Sequence, residues 1–149
     1  MNEKMLIKNL YDLDKTIAKP LLEKLDYPWE ALHKIKDFII ELGKTLDPEI
    51  YEQRGENIWV AKSATVYPSA HLGGPLIICE DAEVRHCAFI RGCAIVGKGA
   101  VVGNSTELKN SILFDGVQVP HYNYIGDSIL GYKSHTGAGT ITSNLKSDK

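Results

Sequence analysis

The stretch Ala82-Glu83-Val84-Arg85-His86-Cys87-Ala88-Phe89-Ile90-Arg91-Gly92-Cys93-Ala94-Ile95-Val96-Gly97-Lys98-Gly99-Ala100-Val101-Val102 repeats one six-residue phrase. A small residue is followed two places later by a branched apolar one, and a turn follows. Read outward in steps of six from residue 60, the apolar places are Val60, Val66, Leu72, Ile78, Val84, Ile90, Val96, Val102, Leu108, Phe114 and Pro120. Ten of these eleven are bulky and apolar, where the chain's own composition puts about three by chance. Four places after each lies a second set that begins Ala64, Ala70, Leu76, Ala82, Ala88, Ala94, Ala100 and then turns to Thr106, Ile112, Gln118 and Tyr124. Neither the 3.6-residue period of a helix nor the two-residue period of an ordinary strand gives this pattern. A six-residue period is that of a hexapeptide β-helix.

Each hexad is then one short strand plus a corner, and three hexads close a triangular coil of 18 residues. The bulky residue fills the interior, and the small one lets the corner close. Coils stack at the strand spacing of ~4.8 Å, so residues i and i+18 are neighbours while i and i+6 are not. On this arithmetic Cys87 and Cys93 lie on different faces, and Arg91 stacks on Lys109 with Asp127 next in the column. His121 stacks on Gly103 and Arg85. The three cysteines, Cys79, Cys87 and Cys93, are an odd number without a C-x-x-C pair, which fits neither a disulfide framework nor a zinc ribbon. They are expected as buried or half-buried small residues.

Before residue 58 the pattern differs. Residues 1–52 form an expected helical segment, and residues 58–149 the β-helix. Pro28 at a first helical position and Glu30 in the first turn mark a helix start. Trp29, Leu32, Ile35, Ile39 and Leu42 follow as one apolar stripe, and Gly43 supplies a left-handed stop. A weaker helix is expected over Lys4–Ala18, ending before Pro20. His33 falls off the stripe, at the surface. Fifty such residues cannot bury a core alone, so they should pack on the coils or on another subunit.

The 149 residues carry 17 basic and 19 acidic side chains, a formal charge of −2. That balance argues against a nucleic-acid coat. No apolar run approaches the ~18 residues of a spanning helix, and Met1–Leu6 lacks a secretory apolar region. A cytoplasmic protein off the membrane is expected.

After Pro120 the hexads falter: the apolar places become Ile125, Leu130 and Thr136, and the break itself is Pro120-His121-Tyr122-Asn123-Tyr124. The last residues, Ser143–Lys149, show no amphipathic helix to cover the final coil. Either a partner or further coils are expected there. Three stretches stand out around the break: Val102-Gly103-Asn104-Ser105-Thr106-Glu107-Leu108-Lys109, His121-Tyr122-Asn123-Tyr124-Ile125-Gly126-Asp127 and Gly137-Ala138-Gly139-Thr140-Ile141-Thr142-Ser143-Asn144. They resemble the acetyltransferase domain of bifunctional N-acetylglucosamine-1-phosphate uridyltransferase/glucosamine-1-phosphate acetyltransferases. The whole chain looks more like their shorter, stand-alone relatives, in which a helical segment replaces the nucleotidyltransferase domain.

The resemblance implies a mainly β fold, a left-handed parallel β-helix behind a small helical segment, and assembly as a homotrimer with sites between subunits. It implies His121 as general base, and Arg91, Lys109 and Tyr124 as contacts to a sugar phosphate. Asn144 falls where the family has an asparagine near the substrate amine. His135 stands where the family has a substrate-binding asparagine, a departure at the amino-sugar contact. Acetyl-CoA is the implied acyl donor and no metal is implied; the family's donor contacts come from coils beyond Lys149.

The chemistry agrees with the residues. N-acyl transfer needs a base with a pKa near neutrality, which histidine supplies, and Pro120 stiffens the turn before it. His71 and His86 look isolated, with surface roles. A β-helix carbonic anhydrase needs a close His pair and a third His one coil away, and the spacing of His86, His121 and His135 does not supply it. Two other functions stay open: a catalytically silent sugar-phosphate or nucleotide-sugar binding module, and a sugar nucleotidyltransferase. Against the last, no glycine-rich nucleotide loop with metal-binding carboxylates is visible.

Overall fold

The computed structural model describes residues 2–143. The strands are β1 (Tyr51–Gly55), β2 (Ile58–Ala61), β3 (Thr65–Val66), β4 (His71–Leu72), β5 (Leu76–Ile78), β6 (Glu83–Val84), β7 (Phe89–Val96), β8 (Val101–Asn104), β9 (Glu107–Leu113), β10 (Gln118–His121), β11 (Tyr124–Leu130) and β12 (Ile141–Thr142). From β2 onward every pairing is parallel and joins a strand to its equivalent one coil away, with β5 on β7, β7 on β9 and β9 on β11 along one face and β6, β8 and β10 along another. This is the left-handed parallel β-helix expected of a six-residue period. Among the described residues only β1 runs antiparallel, folding back on β2 to cover the first edge.

Corners are marked by residues in left-handed backbone. They fall in three columns: Asp81, Gly99, Gly116 and Lys133; Cys87, Ser105, Tyr122 and Gly139; Cys93, Asn110 and Asp127. Directly after the corners at Asp81, Cys87, Cys93 and Gly99 sits a small buried residue, Ala82, Ala88, Ala94 and Ala100. Two residues further on is the interior position, as at Val84, Ile90, Val96, Val102 and Leu108, all fully buried.

The register departs from 18 earlier than the hexads suggest. Ile90 pairs with Leu108, but Gly92 pairs with Lys109, so Arg91 is an extra residue bulged out of the ladder. From there each coil has 17 residues: Val96 pairs with Leu113, Val102 with Val119, Asn104 with His121 and Leu108 with Ile125. The interior residues are therefore Leu113 and Val119, not Phe114 and Pro120. Phe114 is still fully buried because it packs against Tyr11 of the N-terminal segment, ring centroids 5.2 Å apart.

The N-terminal segment is more broken than its sequence implies. The expected helix over Lys4–Ala18 is a 3-10 turn, α1 (Ile7–Leu10) and a second 3-10 turn. Pro20 lies inside the first turn of α2 (Lys19–Leu22), where a missing N–H costs nothing. The main helix opens as 3-10 over Pro28–Lys34 and becomes α3 (Ile35–Gly43). Glu30 caps it by accepting hydrogen bonds from the backbone N–H of Tyr27 (2.7 Å) and Asp26 (3.0 Å). Gly43 is not the left-handed stop. A side chain there would collide with the Trp59 ring, so glycine is needed for close packing instead. Trp29 leaves the core stripe, standing 45% exposed and stacked on Tyr27 at 4.8 Å. Tyr51 and Glu52, read as the end of the helical segment, begin β1.

What this segment covers is an outward-facing apolar ladder, Trp59, Ile77, Ile95, Ile112 and Ile129, in register on successive coils. Ile77, Ile95 and Ile112 are fully buried although they point away from the coil interior. α3 packs across β5, β7 and β9 to bury them, with Ile35 and Ile39 on its inner side. Both sides of these strands are thus apolar, as a strand buried on both faces requires.

Candidate active site

β9 and β11 carry the residues around which the site is built. Lys109 pairs in register with Gly126, and Glu107 with Tyr124. The Tyr124 side chain folds along its own strand over Gly126: a Cβ there would lie 2.5 Å from the phenol oxygen. Its hydroxyl therefore sits beside the backbone position that pairs with Lys109. Arg91 reaches the same row through Glu107, its ion-pair partner, which pairs in register with Tyr124. Arg91 on β7, Lys109 on β9 and Tyr124 on β11 mark one strip of the paired β7–β9–β11 face.

Arg91 and Lys109 are not stacked on each other, because Arg91 is the bulged residue. Each has its own carboxylate: Arg91 Nη1 lies 2.8 Å from Glu107 Oε2, and Lys109 Nζ lies 3.3 Å from Asp127 Oδ2. Glu107 pushes the Arg91 guanidinium further above its ordinary range by hydrogen bonding. Asp127 also accepts from Asn110 Nδ2 at 2.9 Å. These pairs stay partly open to solvent, with side-chain exposures of 45% for Arg91 and 39% for Lys109. Exposed pairs of this kind contribute little to stability and can be exchanged for a ligand anion.

His121 is exposed at the end of β10, one coil past Asn104. The 17-residue register puts it over Asn104 and not over Gly103. Its turn is fixed from below by buried polar groups. Asn123 Oδ1 accepts from the His121 N–H at 3.3 Å, and Asn123 Nδ2 donates to the Gly137 carbonyl at 2.8 Å. Thr106, fully buried, donates to the Val119 carbonyl at 3.1 Å and accepts from the Asn123 N–H at 3.3 Å. Gly103 is required beneath this turn, since a Cβ would run into the backbone of Pro120. Polar residues replace alanine after the corners here because the turn needs hydrogen-bond partners. That switch from Ala100 to Thr106, Ser111 and Asn123 is the sequence signal for Asn123, which was not singled out.

His135 is exposed and bridges to Gln118, lining an open hollow with Gly99, Gly116 and Lys133. This hollow opens at the Gly99–Gly116–Lys133 corner, whereas His121 follows at the other end of β10, so His135 does not join the strip. Asn144 lies outside the described residues. The N-terminal segment adds a feature of its own. Pro28, Trp29 and Leu32 line a hollow of about 180 Å³ with Asp127 and Ile129, beside Lys109. Two larger hollows, of about 460 and 540 Å³, are lined by Tyr11 and Tyr132 and by Tyr51 and Trp59, and hold no residue of the site.

The chain is similar to known proteins in sequence and in fold. The chain is 36% identical over 106 residues, 70% of its length, to the bifunctional protein GlmU of Zymomonas mobilis, of which it covers 23%. It is 40% identical over 45 residues, 30% of its length, to a bifunctional sugar-1-phosphate nucleotidylyltransferase/acetyltransferase of Sulfurisphaera tokodaii, covering 11% of that protein. The chain thus spans under a quarter of the length of either relative. Among solved structures, the acetyltransferase domain of PglB from Neisseria gonorrhoeae shares the fold, with a TM-score of 0.56 over 72% of this chain and 51% of that one at 20% identity. Among the described residues, no helix is long and apolar enough to cross a membrane. Residues 72–146, half of the sequence, match the family model of the GMPPB C-terminal domain, and the chain belongs to that family.

Proposed function

We propose that this chain transfers an acyl group from a CoA thioester to an amino-sugar phosphate or a similar amine. The observation that carries the reading is the strip of Arg91, Lys109 and Tyr124 along β7, β9 and β11, with His121 three residues before Tyr124 on the same coil. A phosphate monoester offers oxygens to both cations and to the phenol, displacing Glu107 and Asp127 in part. His121 takes the proton from the amine as the amine nitrogen attacks the thioester carbonyl. The C–N bond forms, the C–S bond breaks, and the thiolate of CoA leaves with a proton. The two bifunctional relatives and the quoted motifs support this reading. Donor recognition then falls to acetyl-CoA contacts outside the strip, and no metal takes part.

We infer a homotrimer, its sites shared between parallel β-helices. Light scattering at micromolar concentration should give three times the monomer mass, and a clean monomer counts against it. A second reading, a silent sugar-phosphate binding module, is favoured by two observations. Both cations are already ion-paired, and His135, at the acceptor-contact position, opens onto a separate hollow. Mass spectrometry of glucosamine 1-phosphate incubated with acetyl-CoA and the protein separates the two. A 42-dalton gain on the sugar, the mass of one acetyl group replacing a proton, supports transfer. Binding without that gain supports the module, and pyrophosphate released from UTP would point to nucleotidyl transfer instead.

A further inference from the structure

His86 is not isolated. Its Nδ1 lies 2.7 Å from Ser69 Oγ, contributed by the preceding coil, and its Nε2 lies 3.3 Å from Cys87 Sγ. Ser69 Oγ also accepts from the Cys87 backbone N–H at 3.0 Å, so the three residues close a ring of contacts. Part of this ring is a general corner device: Ser63 accepts from the N–H of Asp81 in the same way at another corner. What the corner at Cys87 adds is an imidazole between that serine and a thiol.

Cys87 is exposed, against the expectation that all three cysteines are at least half buried. The left-handed corner backbone, φ +59°, aligns it with Ser69 and Ser105 on the neighbouring coils. The other two thiols are poorly placed to react. Cys79 is fully buried, and burial pushes its thiol up to about 12; Cys93 is half-buried and pushed up by the same cause. A nucleophile beside a base that is itself held by a third group is the arrangement that activates a thiol.

We propose that Cys87, activated by His86 and Ser69, is a modification site that forms a mixed disulfide with low-molecular-weight disulfides. The Cys87 thiol gives its proton to His86 Nε2, and the imidazolium then donates from Nδ1 to the free lone pair of Ser69 Oγ. The thiolate attacks one sulfur of the small disulfide. One S–S bond forms as the other breaks, and the departing thiolate takes the proton from His86. One disulfide is consumed and one made, so no further oxidant enters.

The position gives the modification a consequence. The Ser105 N–H donates to the His86 carbonyl, which sets His86 over Asn104, and Asn104 pairs with His121. His86, Asn104 and His121 hold one position on three successive coils, so the adduct stands ~10 Å from the proposed base along the same edge. The groups facing the pair from adjacent coils, Ser69, Asn104 and Ser105, are uncharged. The charged neighbours on its own coil, Glu83 and Arg85, are paired with each other at 3.3 Å.

The test is reaction of the folded protein with oxidised glutathione or an aromatic disulfide, followed by peptide mapping. Cys87 should take the adduct first. His86→Gln should slow it roughly tenfold or more at pH 7 and raise the midpoint of the pH–rate profile. Ser69→Ala should slow it less, and Cys87→Ser should abolish it. Labelling of Cys93 ahead of Cys87, or an unchanged rate and midpoint in His86→Gln, overturns the proposal. If His86→Gln fails to fold, the parent protein decides alone: a midpoint well below the ~8.5 of a free thiol supports activation, and one at or above it refutes it.

Discussion

Ile95→Ala tests whether the N-terminal segment is part of the core or merely attached to it. Ile95 points outward from the coil, yet it is fully buried, midway along the ladder from Trp59 to Ile129. The substitution removes three carbons, worth about 2.4 kcal/mol at ~0.8 kcal/mol per buried methylene. Neighbours on both sides are backbone-held strands and α3, so the hole closes only partly and a cavity contribution adds to this. We expect a loss of about 3 kcal/mol, comparable to Ile90→Ala inside the coil. Urea denaturation at fixed protein concentration reads it as a lower midpoint with an unchanged slope. If α3 only brushes this face, Ile95 behaves as a surface residue and the loss stays under ~0.5 kcal/mol. That result, with Ile90→Ala still costly, would refute burial of the ladder by the segment.

Gly103→Ala should destabilise by roughly 1–3 kcal/mol in the same assay, because the added Cβ meets Pro120 backbone that cannot rotate away. Asn123→Ala leaves the Gly137 carbonyl and the His121 N–H short of partners and should lose roughly 1–3 kcal/mol, while Asn123→Asp, which keeps the acceptor, should lose less. Lys109→Ala should weaken sugar-phosphate binding by calorimetry roughly ten- to a hundredfold and leave acyl-donor binding alone; unchanged sugar-phosphate affinity removes Lys109 from the site. For Cys79 the folded thiol titrates at about 12 because it is buried, above its unfolded value near 9. Its contribution is therefore complete below pH 9 and is lost as pH rises from 9 to 12, since the unfolded chain gives up that proton first. Stability should fall over that window, and Cys79→Ala should flatten the slope.

The fold was legible because its interior residues obey one period and the small residues after its corners obey the same one. The bulge at Arg91 was not. Losing one residue per coil shifts the interior place from Phe114 to Leu113 and from Pro120 to Val119, and apolar residues stand at both members of the first pair. Only strand pairing separates them. For the same reason the column of Arg91 and Lys109, drawn from an 18-residue spacing, became two separate ion pairs, Arg91 with Glu107 and Lys109 with Asp127. The outward ladder was visible only as unusually apolar runs such as Leu76–Cys79, since a strand buried on both faces has no alternation to read. The breaks in the N-terminal segment escaped because tertiary packing decides short helices more than propensity does. Ser69 and Cys87 stack at the 18-residue spacing, but that spacing does not display the His86 ring turned between them.

The central claim is that His121 acts as the base for acyl transfer at a sugar-phosphate site made by Arg91, Lys109 and Tyr124. Steady-state transfer from acetyl-CoA to glucosamine 1-phosphate, measured for the parent and His121→Ala alongside calorimetry of the sugar phosphate, tests it most directly. In His121→Ala, kcat should fall roughly 10²–10⁴-fold while sugar-phosphate affinity is nearly unchanged. A kcat within a few-fold of the parent, or a parallel loss of binding and turnover, would contradict it.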